Sequence, residues 1–228
     1  MGISLLLTVA VARSQQREST AGDGHHHDGA EADALRAMAS QKVSSNPHVK
    51  MTALRPPSEA DRRQADEIVA QLRAALKKYK DYRVAMEEGY QPFLPNLPQK
   101  EYHFTNYRYG LIGSLWFRPS KPTSLLYKKT KSGYELVGAM YTASRFATES
   151  ELNRRIPLSV ARWHAHINIC LPPKSEYATA DWQRFGFAGS ITAEAECRAA
   201  GGTFHPQMFG WMVHVYPFEK SPEKIWAH

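Results

Sequence analysis

The alternation of polar and apolar residues is most regular in the segment 155–171, RIPLSVARWHAHINICL. Because side chains alternate between the two faces of a β-strand, Trp163 and Ala165 share one apolar face with their alternate neighbours. The opposite face is polar and carries Arg162, His164, His166 and Asn168. We predict a strand whose apolar face packs in the core and whose polar face carries the chemistry of the protein.

The surrounding patterns predict a helix packed against a sheet. Ser58 fits an N-cap, apolar residues recur at intervals of three and four up to Met86, and Gly89 fits the stop. Strand-like segments follow at 101–109, 111–117, 124–129, 134–143, 157–171 and 209–218. KTKSGY supplies a hairpin turn with Gly133, and 145–155 a short helical turn. The predicted fold class is α+β, a long amphipathic helix on a mainly antiparallel twisted sheet or partly closed barrel.

The first 57 residues differ from the rest. Residues 1–12 contain an apolar run of signal-peptide length with a small-x-small site at its end, although no Lys or Arg precedes the run. Residues 13–57 have few large apolar side chains, which predicts a disordered leader. Its tract His25–Asp28 is typical of loose Zn or Cu capture, or has no role. We predict an exported (periplasmic or secreted) protein with one α+β domain at 58–228 and no transmembrane segment in the mature chain.

The composition of the chain limits the classes of binding partner that we predict. The chain of 228 residues has 29 basic and 22 acidic side chains, a formal net charge of +7. This charge predicts weak binding to anionic surfaces through the outer helix face, which carries Arg73, Lys77, Lys78, Lys80 and Arg83. We find no nucleic-acid-binding motif, phosphate loop or nucleophile elbow, so no specific nucleic-acid partner is predicted.

Cys170 and Cys197 are the two cysteines of the chain, with 26 residues between them. In an exported protein they are expected to form a disulfide that stabilises the fold by roughly 3 kcal/mol in the chain-entropy model. In a reducing cytoplasm they would be buried thiols or a redox pair.

Four histidines lie in strand-like segments: His103, His164, His166 and His214. Distant strands of a sheet or barrel can converge, and three His ligands with an open position describe a catalytic zinc site that also accepts copper or iron. We therefore predict a mononuclear site for one divalent transition metal ion, Zn or Cu. If the protein is an enzyme, such a site would support hydrolysis or oxidation.

Several side chains are candidates to assist this site. Glu101 and Tyr216 are candidate catalytic residues, and a carboxylate at Glu101 could be a ligand, an orienting partner of an imidazole or a general base. Arg162 and Asn168 are candidate outer partners because they share the histidine face. The alternative is a non-catalytic binding module of the cell envelope, in which these residues and Trp211 form an aromatic and polar pocket for an unidentified small molecule.

A set of local motifs resembles a group of secreted bacterial proteins of unassigned activity. The matching residues are Ala85, Gly89-Tyr90, Tyr102-His103-Phe104, Asn106, Pro122, Leu125-Leu126-Tyr127 and Leu136-Val137-Gly138. The resemblance covers about a quarter of the chain and implies export, with His103 and Asn106 as site positions. The chain departs from the group by having Gln99-Lys100-Glu101 where a Gly-Met-Gly lead is usual. Because the activity of the group is unassigned, the resemblance implies no particular reaction.

Overall fold

The computed structural model describes residues 46–95 and 99–227. The predicted signal peptide, the leader up to residue 45 with its His25–Asp28 tract, and His228 lie outside the described residues. Within the described part, seven strands form one fully antiparallel sheet in the order β1-β6-β7-β5-β4-β3-β2. The strands are β1 (Val49–Met51), β2 (Gln91–Pro92), β3 (Tyr102–Thr105), β4 (Ser124–Thr130), β5 (Gly133–Ala143), β6 (His164–Leu171) and β7 (Thr203–Val215). The α+β class is confirmed, and the sheet is open rather than closed into a barrel.

The single long helix predicted up to Met86 is not confirmed. Helix α1 (Glu59–Leu76) begins as predicted, with the Ser58 hydroxyl accepting a hydrogen bond from the Asp61 amide at 3.1 Å. A 3₁₀ turn, Lys77–Lys80, follows, and Asp81 then adopts an extended backbone and caps helix α2 (Tyr82–Glu87). The chain breaks here because an aspartate side chain competes for nearby backbone N–H groups.

The predicted strands 101–109 and 111–117 are wrong beyond Thr105. Helix α3 (Tyr107–Leu115) occupies this segment, and the Asn106 side chain caps it by accepting the Tyr109 amide at 3.0 Å. Alternating aromatic residues had imitated a strand, but a capped start favours a helix. The remaining described α-helices are α4 (Glu149–Arg155), α5 (Glu194–Ala199) and α6 (Pro222–Ile225). None of the described helices is long and apolar enough to cross a membrane.

The end of the predicted leader is wrong for residues 46–57. Strand β1 lies in this stretch and pairs antiparallel with β6. His48 is 2% exposed, and its Nε2 lies 2.6 Å from the Gly189 carbonyl oxygen. The segment is ordered by hydrogen bonds to β6 and its neighbours, which its own weakly apolar sequence did not reveal.

The main core lies on one side of the sheet, under helix α1. It combines buried side chains of the helix with those of five strands, including Leu72, Leu76, Phe104, Tyr127, Tyr141, Trp163 and Val213. Trp163 and Ala165 are fully buried there, so the apolar face predicted for β6 does pack in the core. The other face of the sheet carries the histidines.

The predicted disulfide is present. Cys170 in β6 is bonded to Cys197 in α5, and both pack with Phe185 and Ile191 in a small apolar cluster. Gly202 lies against the bond: a Cβ at this position would be 2.6 Å from the Cys170 sulfur. The cross-link therefore fixes the start of β7 as well as the short helix.

Candidate functional site

The four candidate ligands form a continuous row of rings on the face opposite the core. The Nε2 atoms of His103 and His214 are 3.4 Å apart. The ring centroids of His214 and His164 are 5.2 Å apart, and those of His164 and His166 are 5.5 Å apart. We call these four side chains the histidine row.

Curvature of the sheet brings the row together. Strands β4 and β5 lie between β3 and β7. In a flat sheet the backbones at His103 and His214 would therefore be about 14 Å apart. Their ring nitrogens nevertheless meet. Phe93, which follows β2, likewise contacts Phe209 of β7 with ring centroids 6.1 Å apart. The histidine face is therefore concave, with strands from both halves of the sheet contributing to it.

A bulge in β7 lies next to the row. His164 pairs with Met212 but His166 pairs with Met208, so β7 has extra residues between these two positions. Phe209 in the bulge has a positive φ of 66°, and a Cβ at Gly210 would be only 1.9 Å from the Ala143 carbonyl oxygen. Bulges redirect side chains and are common beside functional sites.

His103 is held in its neutral form by its surroundings. Burial lowers its pKa, and this effect outweighs the charge of Glu101 and a hydrogen bond to the Glu101 backbone, which both act to raise it. Nε2 of His103 faces Nε2 of His214 within hydrogen-bonding distance, and the tautomers of the two rings determine which nitrogen donates.

The structure brings Glu101 and Tyr216 together beside the row. The Tyr216 hydroxyl donates a hydrogen bond to Glu101 Oε2 at 2.7 Å, and the Tyr216 ring lies 6.4 Å from that of His214 between centroids. Burial, followed by this hydrogen bond, raises the pKa of Tyr216 above its usual range. Tyr216 is thus a proton donor and not a base at neutral pH. Gly138 accommodates its ring, because a Cβ there would be 3.0 Å from Tyr216 Cδ1.

Asn106 has a structural role that the resemblance did not indicate. Its Oδ1 caps helix α3, and its Nδ2 donates to the Glu88 carbonyl at 3.0 Å. It is 5% exposed and ties the end of α2 to the start of α3. Both hydrogen-bonding ends of the side chain are therefore used away from the histidine row.

Arg162 and Asn168 also bind elsewhere. Arg162 Nε donates to the Thr52 carbonyl at 2.7 Å. Asn168 has a positive φ of 56°, which interrupts the alternation of β6, and its Nδ2 donates to the Pro47 carbonyl at 3.0 Å. Both side chains hold the segment around β1 against β6. Strict alternation, which predicted their place in the row, fails for Asn168 at its positive φ, and Arg162 lies before β6 begins.

A cluster of phenylalanines at the His166 end of the row was not predicted. The Phe187 ring lies 4.9 Å from that of His166, and it stacks on Phe209 at 6.3 Å, both between centroids. Phe209 in turn contacts Phe93. Trp211, predicted to line a pocket, is instead buried in the main core. These contacts link residues far apart in sequence, so no local pattern signalled them.

The row is not a preformed three-ligand metal site, but two of its nitrogens have a ligand-like spacing. In residues 46–95 and 99–227, no group of three or more His, Cys, Asp or Glu side chains is already arranged to hold a metal ion. With metal–nitrogen bonds of about 2.0–2.1 Å, tetrahedral geometry separates two nitrogens by about 3.3–3.4 Å. The 3.4 Å between His103 and His214 Nε2 equals this separation.

Comparisons with protein-family models, with characterised proteins and with solved structures found no match to the chain. The site is therefore interpreted from its own geometry.

Proposed function

We propose that this protein is an exported metal-binding protein that holds one zinc or copper ion at the histidine row. The observation that carries the proposal is the 3.4 Å separation of the His103 and His214 Nε2 atoms across two intervening strands. In this proposal both rings are neutral and their facing nitrogens bind the same cation, since a metal ligand must be unprotonated.

The third ligand in this proposal is His164. Its ring is adjacent to that of His214, at 5.2 Å between centroids, and the residue is 2% exposed. In this proposal metal binding reorients the His164 ring and completes a three-histidine set with an open fourth position. His166, next in the row, is the further candidate for that position.

The Glu101–Tyr216 pair supports the same proposal. Histidine ligands usually donate their second ring N–H to a carbonyl or carboxylate, which fixes the tautomer. Glu101 supplies such a backbone contact to His103, and its carboxylate is oriented by the Tyr216 hydroxyl. The pair thus orients a ligand in this proposal.

Export is supported by two independent features. The Cys170–Cys197 disulfide is of a type that persists in oxidising compartments. The apolar run in residues 1–12 has the length of a signal-peptide core.

Metal titration of the full chain, purified without an affinity tag, tests the proposal. All proteins carry His25→Gln, His26→Gln and His27→Gln, so that the N-terminal tract contributes no binding. We expect one Zn²⁺ or copper ion per chain by calorimetry and elemental analysis, and a stabilisation of about 2.7 kcal/mol at 100 times the Kd.

The His103→Gln/His214→Gln double variant should lose this binding. His205→Gln is the matched control, since His205 lies on the same sheet but pairs with Ile169 away from the row. The circular dichroism spectrum checks that each variant is folded. Unchanged stoichiometry and affinity in the folded double variant would overturn the proposal.

A second candidate function, binding of a small organic molecule without metal, is favoured by the phenylalanine cluster. Phe209 is 49% exposed although it stacks on Phe187, which leaves an aromatic surface open to a ligand. Metal-free protein should then bind an anionic aromatic dye with one-to-one stoichiometry, and Phe209→Ser should abolish this. No saturable dye binding, or equal binding by the variant, would exclude this candidate.

A further inference from the structure

We infer that the metal is copper in its cuprous state and that methionine thioethers from neighbouring strands take part in binding it. The inference rests on the proposed metal site and names its metal. It comes from the strand register, which places a methionine beside each of three histidines in the row.

The pairing is direct in each case. The three cross-strand pairs are His214 with Met140, His164 with Met212, and His166 with Met208. Residues directly opposite one another in an antiparallel pair project from the same face, with Cβ atoms about 4.5–5.5 Å apart. Each of these methionine side chains therefore lies on the concave face with the rings.

Two of the three methionines are buried beside the row. Met140 is 7% exposed and Met212 is 6% exposed, and they form a cluster with Leu126 that is separate from the main core. Tyr216, the neighbour of His214, packs against this cluster. The buried thioethers therefore lie on the same face of the sheet as the imidazoles.

This donor set fits Cu(I) better than Zn²⁺. Thioether sulfur is a soft ligand that selects Cu(I), whereas zinc sites use thiolate, imidazole and carboxylate. The nearby carboxylate of Glu101 is engaged by Tyr216. A single positive charge also costs less to remove from water than a double charge does.

Methionine can also act as a flexible filler of apolar gaps, and that role makes a different prediction. Replacement by leucine nearly conserves volume and usually costs less than about 1.5 kcal/mol of stability. A filler role predicts unchanged metal affinity in such a variant. A ligand role predicts a loss that affects Cu(I) alone.

The experiment compares Cu(I) and Zn²⁺ binding in the wild-type chain and in Met140→Leu/Met212→Leu. Cu(I) is kept reduced with ascorbate without oxygen and titrated against a chromogenic Cu(I) chelator; Zn²⁺ is titrated against a zinc-binding dye. We expect the double variant to lose at least tenfold in Cu(I) affinity while its Zn²⁺ affinity stays within twofold. Met86→Leu is the control, since Met86 is 49% exposed and lies outside the sheet.

X-ray absorption at the copper edge gives a second readout. Sulfur should scatter in the first coordination sphere of the wild-type protein and be lost in the double variant. Equal Cu(I) affinity in both proteins, or a wild-type sphere without sulfur, would overturn the inference. Failure of the metal site itself is distinguishable: His103→Gln/His214→Gln would then bind both metals as the wild type does, whatever the methionine variant shows.

Discussion

Acidification of the metal-free protein should weaken the fold through His103. In the unfolded chain a histidine takes up a proton near pH 6.5, whereas burial lowers the pKa of His103 in the folded protein. The unfolded state therefore binds more protons in the window below about pH 6.5. The stability contributed by neutral His103 is present above that pH and is lost as pH falls towards its folded pKa.

The size of the pH effect on stability depends on the number of protons taken up and on the distance between the two imidazoles. A difference of one bound proton changes the free energy of unfolding by up to about 1.4 kcal/mol per pH unit. The His103 and His214 Nε2 atoms are 3.4 Å apart. Two cations at that separation would repel by about 5 kcal/mol at an effective dielectric constant near 20. The folded pair therefore resists a second proton strongly.

Urea unfolding at about pH 7, 6 and 5 with a chelator present measures this slope. In His103→Gln the free energy of unfolding should fall less steeply with decreasing pH. The slope should be smaller by up to about 1.4 kcal/mol per pH unit in the window below pH 6.5. His205→Gln is again the control and should keep the wild-type slope. If His103→Gln declined with pH as steeply as the wild type, the assignment of a buried neutral His103 would be refuted.

Three further predictions concern the disulfide and the hydrogen-bonded pair. Cys170→Ser/Cys197→Ser should lose roughly 3–3.5 kcal/mol in urea unfolding, the chain-entropy value for a closed loop of this length, and reductant should destabilise only the wild type; equal midpoints would contradict this. Gly202→Ala should cost about 1–3 kcal/mol by overpacking against the disulfide, and a thermal midpoint equal to the wild type would show that the space is available. Tyr216→Phe should lower metal affinity by about tenfold or more in calorimetry by releasing Glu101, whose backbone contact orients His103 in the proposed site; an unchanged Kd would show that Tyr216 does not support the site.

Local sequence signals were sufficient where local chemistry decides the structure. The alternation around Trp163 identified the buried face of β6, and Gly133, with φ of 139°, begins β5 at the predicted hairpin. The same logic failed at Asp81 and Asn106. At both, one side-chain hydrogen bond to a backbone amide decides where a helix begins, and periodicity does not register it.

The proximity of the histidine rings was predictable from the sequence, but the contacts of Asn106, Arg162 and Asn168 away from the row were not. The strand faces indicated that His103, His164 and His214 share a surface, and the structure brings their rings into one row. The order of the strands and the curvature of the sheet are long-range properties. They determine which methionine faces which histidine and how Phe93 reaches Phe209.

The basic face of the helical region is less available than its sequence indicates. Arg73 donates to the Pro217 carbonyl, Lys78 pairs with Glu88, and Arg83 lies 3.5 Å from Asp81. Binding to anionic surfaces and the resemblance to a secreted bacterial group both stay predictions.

The curvature of the sheet makes the spacing of the His103 and His214 rings a mechanical property of the whole domain. The intervening strands β4 and β5 set this spacing through their coiling, so we expect a substitution in the helix-covered layer, at Leu72 for example, to change it from a distance. Such variants would alter ion affinity and cooperativity of unfolding together. An ion held between β3 and β7 would in turn make the strands between them more rigid. Slower hydrogen exchange of the backbone amides in β4 and β5 would detect this change.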